Sequence, residues 1–181
     1  MPSDPIVTGS VETLSILIAP HPALKARARD VRPGDGDLIR DLVPRMFETM
    51  YRAPGIGLAA PQIGHGIRLA VVDLMPDEKR RQIVLINPRI VAQGTELVAR
   101  EEGCLSLPNQ YAEVTRPGQV RVQYLDMAGV RRELEADGLL AACVQHEMDH
   151  LDGVLFTDHL STLKRNMILR RLAKEQRQKA L

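Results

Sequence analysis

Tryptophan is absent, and only five aromatic side chains occur in 181 residues: Phe47, Tyr51, Tyr111, Tyr124 and Phe156. That scarcity argues against the exposed base-stacking platform that single-strand nucleic-acid binders use. Two cysteines, Cys104 and Cys143, are too few for a disulfide framework. No apolar run nears the roughly 20 residues of a membrane span. Met1 to Ser15 lacks the basic start and apolar core of a signal peptide. Repeats, low-complexity tracts and Gly/Ser linkers are also missing. What is present is a 44% hydrophobic chain, enough to bury one sizeable core. The expectation is a single soluble domain over 1–181 in a reducing compartment, with no boundary before about residue 158.

The net charge of +1 conceals an asymmetry. Residues 161–181 hold seven bases against Glu175 alone, a net of +6, and residues 1–160 carry −5. A basic tail on an acidic body is a pattern that can mark a surface for an anionic partner.

Hydrophobic spacing predicts a helix from Asp37 through Met50, with Pro44 kinking it or delaying its start. Strands are expected at Arg68–Asp73 and Gln82–Asn87, ending at Pro76 and Pro88, and at Gln119–Leu125. Asp126 to Gly129 reads as a hairpin loop into Val130–Leu134, and Glu101–Gln110 as a segment broken by Gly103 and Pro108. Asp137 caps a helix over Gly138–His150 that Gly153 ends. A last helix begins near Thr157 or Asp158, with Leu160, Leu163, Met167 and Leu172 available to pack on the body. Mixed strands with few crossover helices indicate an α+β fold.

His146-Glu147-Met148-Asp149-His150 matches H-E-x-x-H on that helix. Residues four apart share a helical face, so two imidazoles can grip one cation while Glu147 reaches a water beside it. Chance gives roughly 0.01 such matches at this composition. The preceding turn, Leu139 to Val144, is almost wholly apolar, which argues that the helix is buried and its imidazoles partnered. A third ligand is needed. Six residues after His150 stands Phe156, where one protease class has histidine, and the only downstream glutamate is Glu175. Cys104 is the stronger candidate, because it lies among carboxylates in a Gly- and Pro-punctuated segment. His159 is the only spare histidine nearby for a fourth ligand. Gly55-Ile56-Gly57-Leu58-Ala59-Ala60-Pro61-Gln62 fits neither a dinucleotide fingerprint nor a phosphate loop. Either it packs tightly on a neighbour, or its glycines admit a ligand beside the Gln62 amide.

These three segments, with Glu102-Gly103-Cys104-Leu105-Ser106 in the middle and Gln145 opening the last, together resemble the peptide deformylase family. The resemblance runs over nearly the whole chain and implies antiparallel sheets packed around a central metal-binding helix, with a C-terminal helix. It implies hydrolysis of N-formylmethionine on nascent peptides, releasing formate. Cys104, His146 and His150 would be the ligands, and Glu147 the base. The Gln62 amide and the Leu105 N–H would hold the oxyanion. Iron(II) is the expected metal, with zinc or nickel accepted. Glu102, Arg116 and Asp149 would orient the ligands, and Ile56, Gly57, Leu139, Ala142 and Cys143 would receive the methionine side chain. Arg100 and Tyr111 depart from some relatives, so preferences beyond the first residue are open. Ser106 and Cys143 receive no chemical role. Further expectations are a monomer in the bacterial cytoplasm, an organellar origin also being compatible, no membrane partner, and docking on the ribosome near the exit tunnel through the basic tail.

Overall fold

The computed structural model describes residues 11–181, so most of the Met1–Ser15 stretch lies outside the described residues. Seven strands and three α-helices follow in the order α1 (Gly36–Arg52), β1 (Gly57–Ala59), β2 (Leu69–Val72), β3 (Ile83–Gln93), β4 (Leu97–Cys104), β5 (Leu107–Pro117), β6 (Gln119–Leu125), β7 (Arg131–Asp137), α2 (Gly138–Leu151) and α3 (Thr162–Lys179). Five strands form one antiparallel sheet in the order β1-β2-β3-β6-β7; β4 and β5 pair only with each other. The α+β expectation holds, with two antiparallel sheets about a motif helix and a helix at the C-terminus.

Alternation along the central strands places the layers. Leu69 and Val71 turn to one face of the large sheet, where Leu42, Met46 and Met50 of α1 pack on them with Ile86. Val72, Leu85, Val120 and Val122 turn to the other face, against Ala141, Val144 and Met148 of α2. Beyond α2, the small sheet supplies Leu107 and Val114 to a third cluster with Phe156 and the α3 residues Ile168 and Leu172. Helix α2 is therefore enclosed, and every residue from Ala141 to Met148 is buried.

Three proline and glycine readings needed correction. Helix α1 starts at Gly36 and runs through Pro44 without interruption. Pro44 lies on the exposed side, where water can satisfy the carbonyl it leaves unbonded. Strand β3 continues past Pro88, because the register shifts between Ile86 and Arg89 and the ladder needs no N–H there. Asn87 sits at φ 49° in that bulge and anchors it, accepting from Val31 N at 2.8 Å and donating to Val31 O at 3.0 Å. Likewise the supposedly broken segment 101–110 is the end of one hairpin: β4 and β5 flank a turn at Leu105-Ser106, and Pro108 falls within their register shift.

The last helix begins later than expected. Residues Phe156–His159 form a separate 3-10 turn, in which Asp158 Oδ2 accepts from Leu155 N at 2.9 Å. Ser161 caps α3, its hydroxyl accepting from Lys164 N at 3.2 Å. Ile168 and Leu172 carry the packing, whereas Leu163 (71% exposed) and Met167 (50%) face solvent, contrary to the expectation for both.

Candidate metal centre

Helix α2 begins where the chain leaves β7, with Asp137 as an extended N-cap and Gly138 at φ 52° turning it. Eight residues on, His146 and Glu147 reach the gap between the two sheets, with His150 one turn further. Cys104 arrives from the opposite side, at the end of β4 beside the hairpin turn. The Cys104, His146 and His150 donor atoms all lie within 4.8 Å of one another, and Cys104 Sγ is 3.3 Å from His150 Nε2. Glu175 accepts from Gln110 at 3.1 Å instead, and His159 bonds Asp149, so neither alternative ligand joins this cluster.

The donors are held from behind. His146 Nδ1 lies 3.1 Å from Glu102 Oε1. Arg116 grips that carboxylate with two bonds, Nε to Oε2 at 2.7 Å and Nη2 to Oε1 at 2.9 Å, and reaches Asp149 Oδ2 through Nη1 at 2.8 Å. His159 Nε2 meets the same Asp149 oxygen at 2.7 Å. Burial pushes the Glu102 carboxyl up, but the bonds from His146 and Arg116 and the guanidinium charge outweigh it and bring it down to about 2. A fixed anion behind Nδ1 commits the other ring nitrogen of His146 to the centre. The ring of Phe156 lies stacked 6.3 Å from His146, which explains a phenylalanine at that position.

Glu147 is different in kind. It is buried, and its Oε2 has no hydrogen-bond partner among the described residues. Burial pushes its carboxyl up to about 7. An unpaired buried carboxylate is costly and calls for a ligand or water. The same holds for His150 Nδ1, which is buried without a partner, and burial lowers that ring well below the ordinary histidine range. One thiol and two imidazoles are a donor set suited to a single divalent transition-metal ion, so the residues present fit such a group.

The glycine-rich segment packs tightly and also lines the cavity that opens onto these groups. A Cβ on Gly57 would stand 2.6 Å from Glu147 Oε1, and one on Gly55 2.8 Å from Leu105 Cδ1. The loop ends in a 3-10 turn over Ala60–Ile63 that presents Gln62. Its Oε1 accepts from Ala59 N at 2.9 Å, which turns Nε2 toward Ser106 Oγ at 3.1 Å and Cys104 Sγ at 3.6 Å. Ser106 was given no role from sequence; it is fully buried and positions the Gln62 amide. A serine two residues after Cys104 carries no signal in one sequence, because its partner is 44 residues away. The Leu105 N–H has no backbone partner among the described residues.

A cavity of about 700 Å³ opens onto these groups. Ile56, Gly57, Leu105, Leu139, Ala142 and Cys143 line it together with Gln62, Cys104, His146 and Glu147. Arg100 and Tyr111 stand on its wall, and Tyr111 is exposed. Cys143 faces it as a neutral thiol, its acidity suppressed by burial.

Three donors gathered within 4.8 Å, a buried partnerless carboxylate beside them and a cavity opening onto the group are the features of a mononuclear metal-dependent hydrolase. The sequence matches the polypeptide deformylase family model over residues 13–166. The chain is 50% identical over 160 residues to the peptide deformylase of Rhizobium meliloti, covering 88% of this chain and 91% of that protein. It is also 50% identical over 169 residues to the Zymomonas mobilis enzyme of that name, covering 91% and 95%. A Legionella pneumophila peptide deformylase crystal structure superposes with a TM-score of 0.87 at 46% identity, covering 93% of this chain and 98% of that one. The Ehrlichia chaffeensis enzyme in complex with actinonin does so at 0.86 and 39% identity, covering 91% and 98%. The chain belongs to the peptide deformylase family. Among the described residues, no helix is long and apolar enough to cross a membrane.

Proposed function

We propose that this chain hydrolyses the formyl amide of N-formylmethionine on nascent peptides, releasing formate and a free amino terminus. The observation that carries the reading is the partnerless Glu147 carboxylate, buried beside three converging metal donors. Cys104, His146 and His150 would hold the cation, which supplies Lewis acidity to a water and to the formyl oxygen. Glu147 takes a proton from the water as its oxygen attacks the formyl carbon. It then delivers that proton to the amide nitrogen as the C–N bond breaks. A carboxyl raised to about 7 is suited to both halves of that transfer. The second N–H of Gln62 Nε2 and the unused Leu105 N–H donate to the oxygen that gains charge. Methionine enters the cavity between Ile56, Gly57, Leu139, Ala142 and Cys143.

Iron(II) is the proposed resident metal, because a mixed thiol and imidazole set suits it as well as zinc or nickel and the family resemblance favours it. The whole of 1–181 acts as one catalytic unit and works as a monomer in the bacterial cytoplasm. The exposed cations Arg170, Arg171, Lys174 and Arg177 on α3 face away from its packed residues and would meet ribosomal RNA near the exit tunnel. Arg171→Glu with Lys174→Glu should then abolish ribosome co-sedimentation while kcat/KM on short peptides stays unchanged. Anaerobically purified protein, assayed for metal content and for formate release from formyl-Met-Ala-Ser, tests the main reading. Cleavage of internal peptide bonds without formate release would refute it.

A further inference from the structure

A second cleft, about 660 Å³ in volume, opens between the 27–30 segment, the β3 bulge and the β6–β7 hairpin. It shares no lining residue with the cavity at the metal centre. Four arginines line it, Arg27, Arg68, Arg89 and Arg131, against one carboxylate, Asp30. Arg68 is the fixed member: its side chain is 13% exposed and its Nη1 donates to Leu151 O and Asp152 Oδ1, both at 3.0 Å. Asp30 stands 3.9 Å from its Nε. Arg27, Arg89 and Arg131 are exposed at the rim and make no ion pair among the described residues. Of the nearby acids, Asp126 pairs with Arg132, and Glu133 accepts from the neutral Gln123 amide.

Like charges lining one space repel, and Arg27, Arg89 and Arg131 have no carboxylate partner among the described residues to offset that repulsion. A bound phosphate group would offset that repulsion. Guanidinium forks match phosphate oxygens with paired hydrogen bonds, and several forks can share one phosphate. The volume falls within the range of roughly 300–1,000 Å³ typical of small-ligand sites. Pro88, Tyr124 and Leu125 give the cleft an apolar wall beside the cations.

We infer that this cleft is a binding site for a small phosphate-bearing ligand of nucleotide size, separate from the metal centre. The rim arginines and Arg68 hold the phosphate, and the organic part lies against Pro88 and Tyr124. The inference is independent of the catalytic reading, since neither cavity contributes a residue to the other.

Calorimetric titration of the metal-loaded protein with adenosine 5′-monophosphate, and separately with inorganic phosphate, tests it. The expected result is one saturable site, tighter for the nucleotide, weakened by salt and weakened about tenfold or more in Arg89→Ser/Arg131→Ser. Formate release by that variant should match the parent. Arg27→Ser alone, at an exposed position, should weaken binding in the same direction and serves if the double variant folds poorly. Equal binding by parent and variants would place the anion elsewhere and overturn the inference. Absence of saturable binding would also overturn it. So would tight binding of a uridine dodecamer RNA with no saturable nucleotide site, since that outcome makes the cleft a nucleic-acid contact.

Discussion

Gly57→Ala is a single-methyl test of how closely the base is held. The added Cβ would lie 2.6 Å from Glu147 Oε1 and 2.9 Å from both Cδ and Cγ. Restoring ordinary contact requires a retreat of roughly 0.8 Å by one side or the other. Gly57 belongs to β1 and pairs with Val72, so the backbone is pinned by the sheet and the carboxylate must yield. Glu147 is 4% exposed, which leaves it little space except the cavity itself. A misplacement on the order of 1 Å at a reacting group costs about 10² in rate, and overpacking of this kind costs about 1–3 kcal/mol in stability. The expected variant therefore binds metal at the parental stoichiometry, melts several degrees lower, and loses about two orders of magnitude in kcat with little change in KM. Metal analysis, thermal denaturation and steady-state formate release measure the three quantities. A parental kcat in a protein with full metal would refute the argument, because the base would then tolerate displacement or not be the base.

Glu147→Gln keeps the volume and removes the base, so metal should remain while turnover falls by about 10² or more; loss of metal would make Glu147 a structural residue. Arg116→Leu leaves the buried Glu102 carboxylate with His146 as its one remaining partner and should cost about 3 kcal/mol by chemical denaturation; a loss below about 1 kcal/mol would show that the pair contributes little. Ala142→Phe narrows the cavity and should raise KM for formyl-Met peptides at constant metal content; unchanged kinetics would place the methionine elsewhere. Tyr51 is pushed up to about 12 by burial and by its 2.5 Å bond to Asp73. The neutral phenol is thus favoured in the folded state. Its contribution is complete below the unfolded value near 10 and lost as pH rises through 12. Denaturation midpoints between pH 9 and 12 should fall more steeply for the parent than for Tyr51→Phe, and parallel curves would contradict the linkage.

The motif helix was readable because its signals are local: Asp137, Gly138 and Gly153 mark its ends, and the histidines share a face by spacing alone. The β6–β7 hairpin was readable for the same reason, through the alternation of Val120, Val122 and Tyr124 and the Asp126–Gly129 loop. The β4–β5 hairpin was not, since Gly103 and Pro108 read as breakers. Gly103 instead gives room to the cross-strand Tyr111 ring, which lies 2.6 Å from where a Cβ would stand. Such a cause comes from a partner strand and leaves no trace in the local pattern. The three donors were nameable from sequence and resemblance, and Glu102, Arg116 and Asp149 from the resemblance, but their linkage, with His159 joining at Asp149, depends on contacts spanning up to 33 residues. In α3, Leu163 and Met167 have the period of packed residues, yet the third cluster accepts only the face bearing Ile168 and Leu172.

Among the described residues the two sheets exchange no strand hydrogen bonds, and the centre lies across the seam between them, with Cys104 on one side and both histidines on a helix seated against the other. A cation gripped there is a mechanical clasp as well as a reagent. Opening of the small hairpin removes one donor and, with Glu102 and Arg116, the support of a second in the same motion. Binding and closure are therefore one equilibrium, and each factor of ten in free metal above its dissociation constant adds about 1.4 kcal/mol against opening. Amide exchange along β4 and β5 should slow as metal is added and serve as a gauge of occupancy, while β6 and β7 should hardly respond.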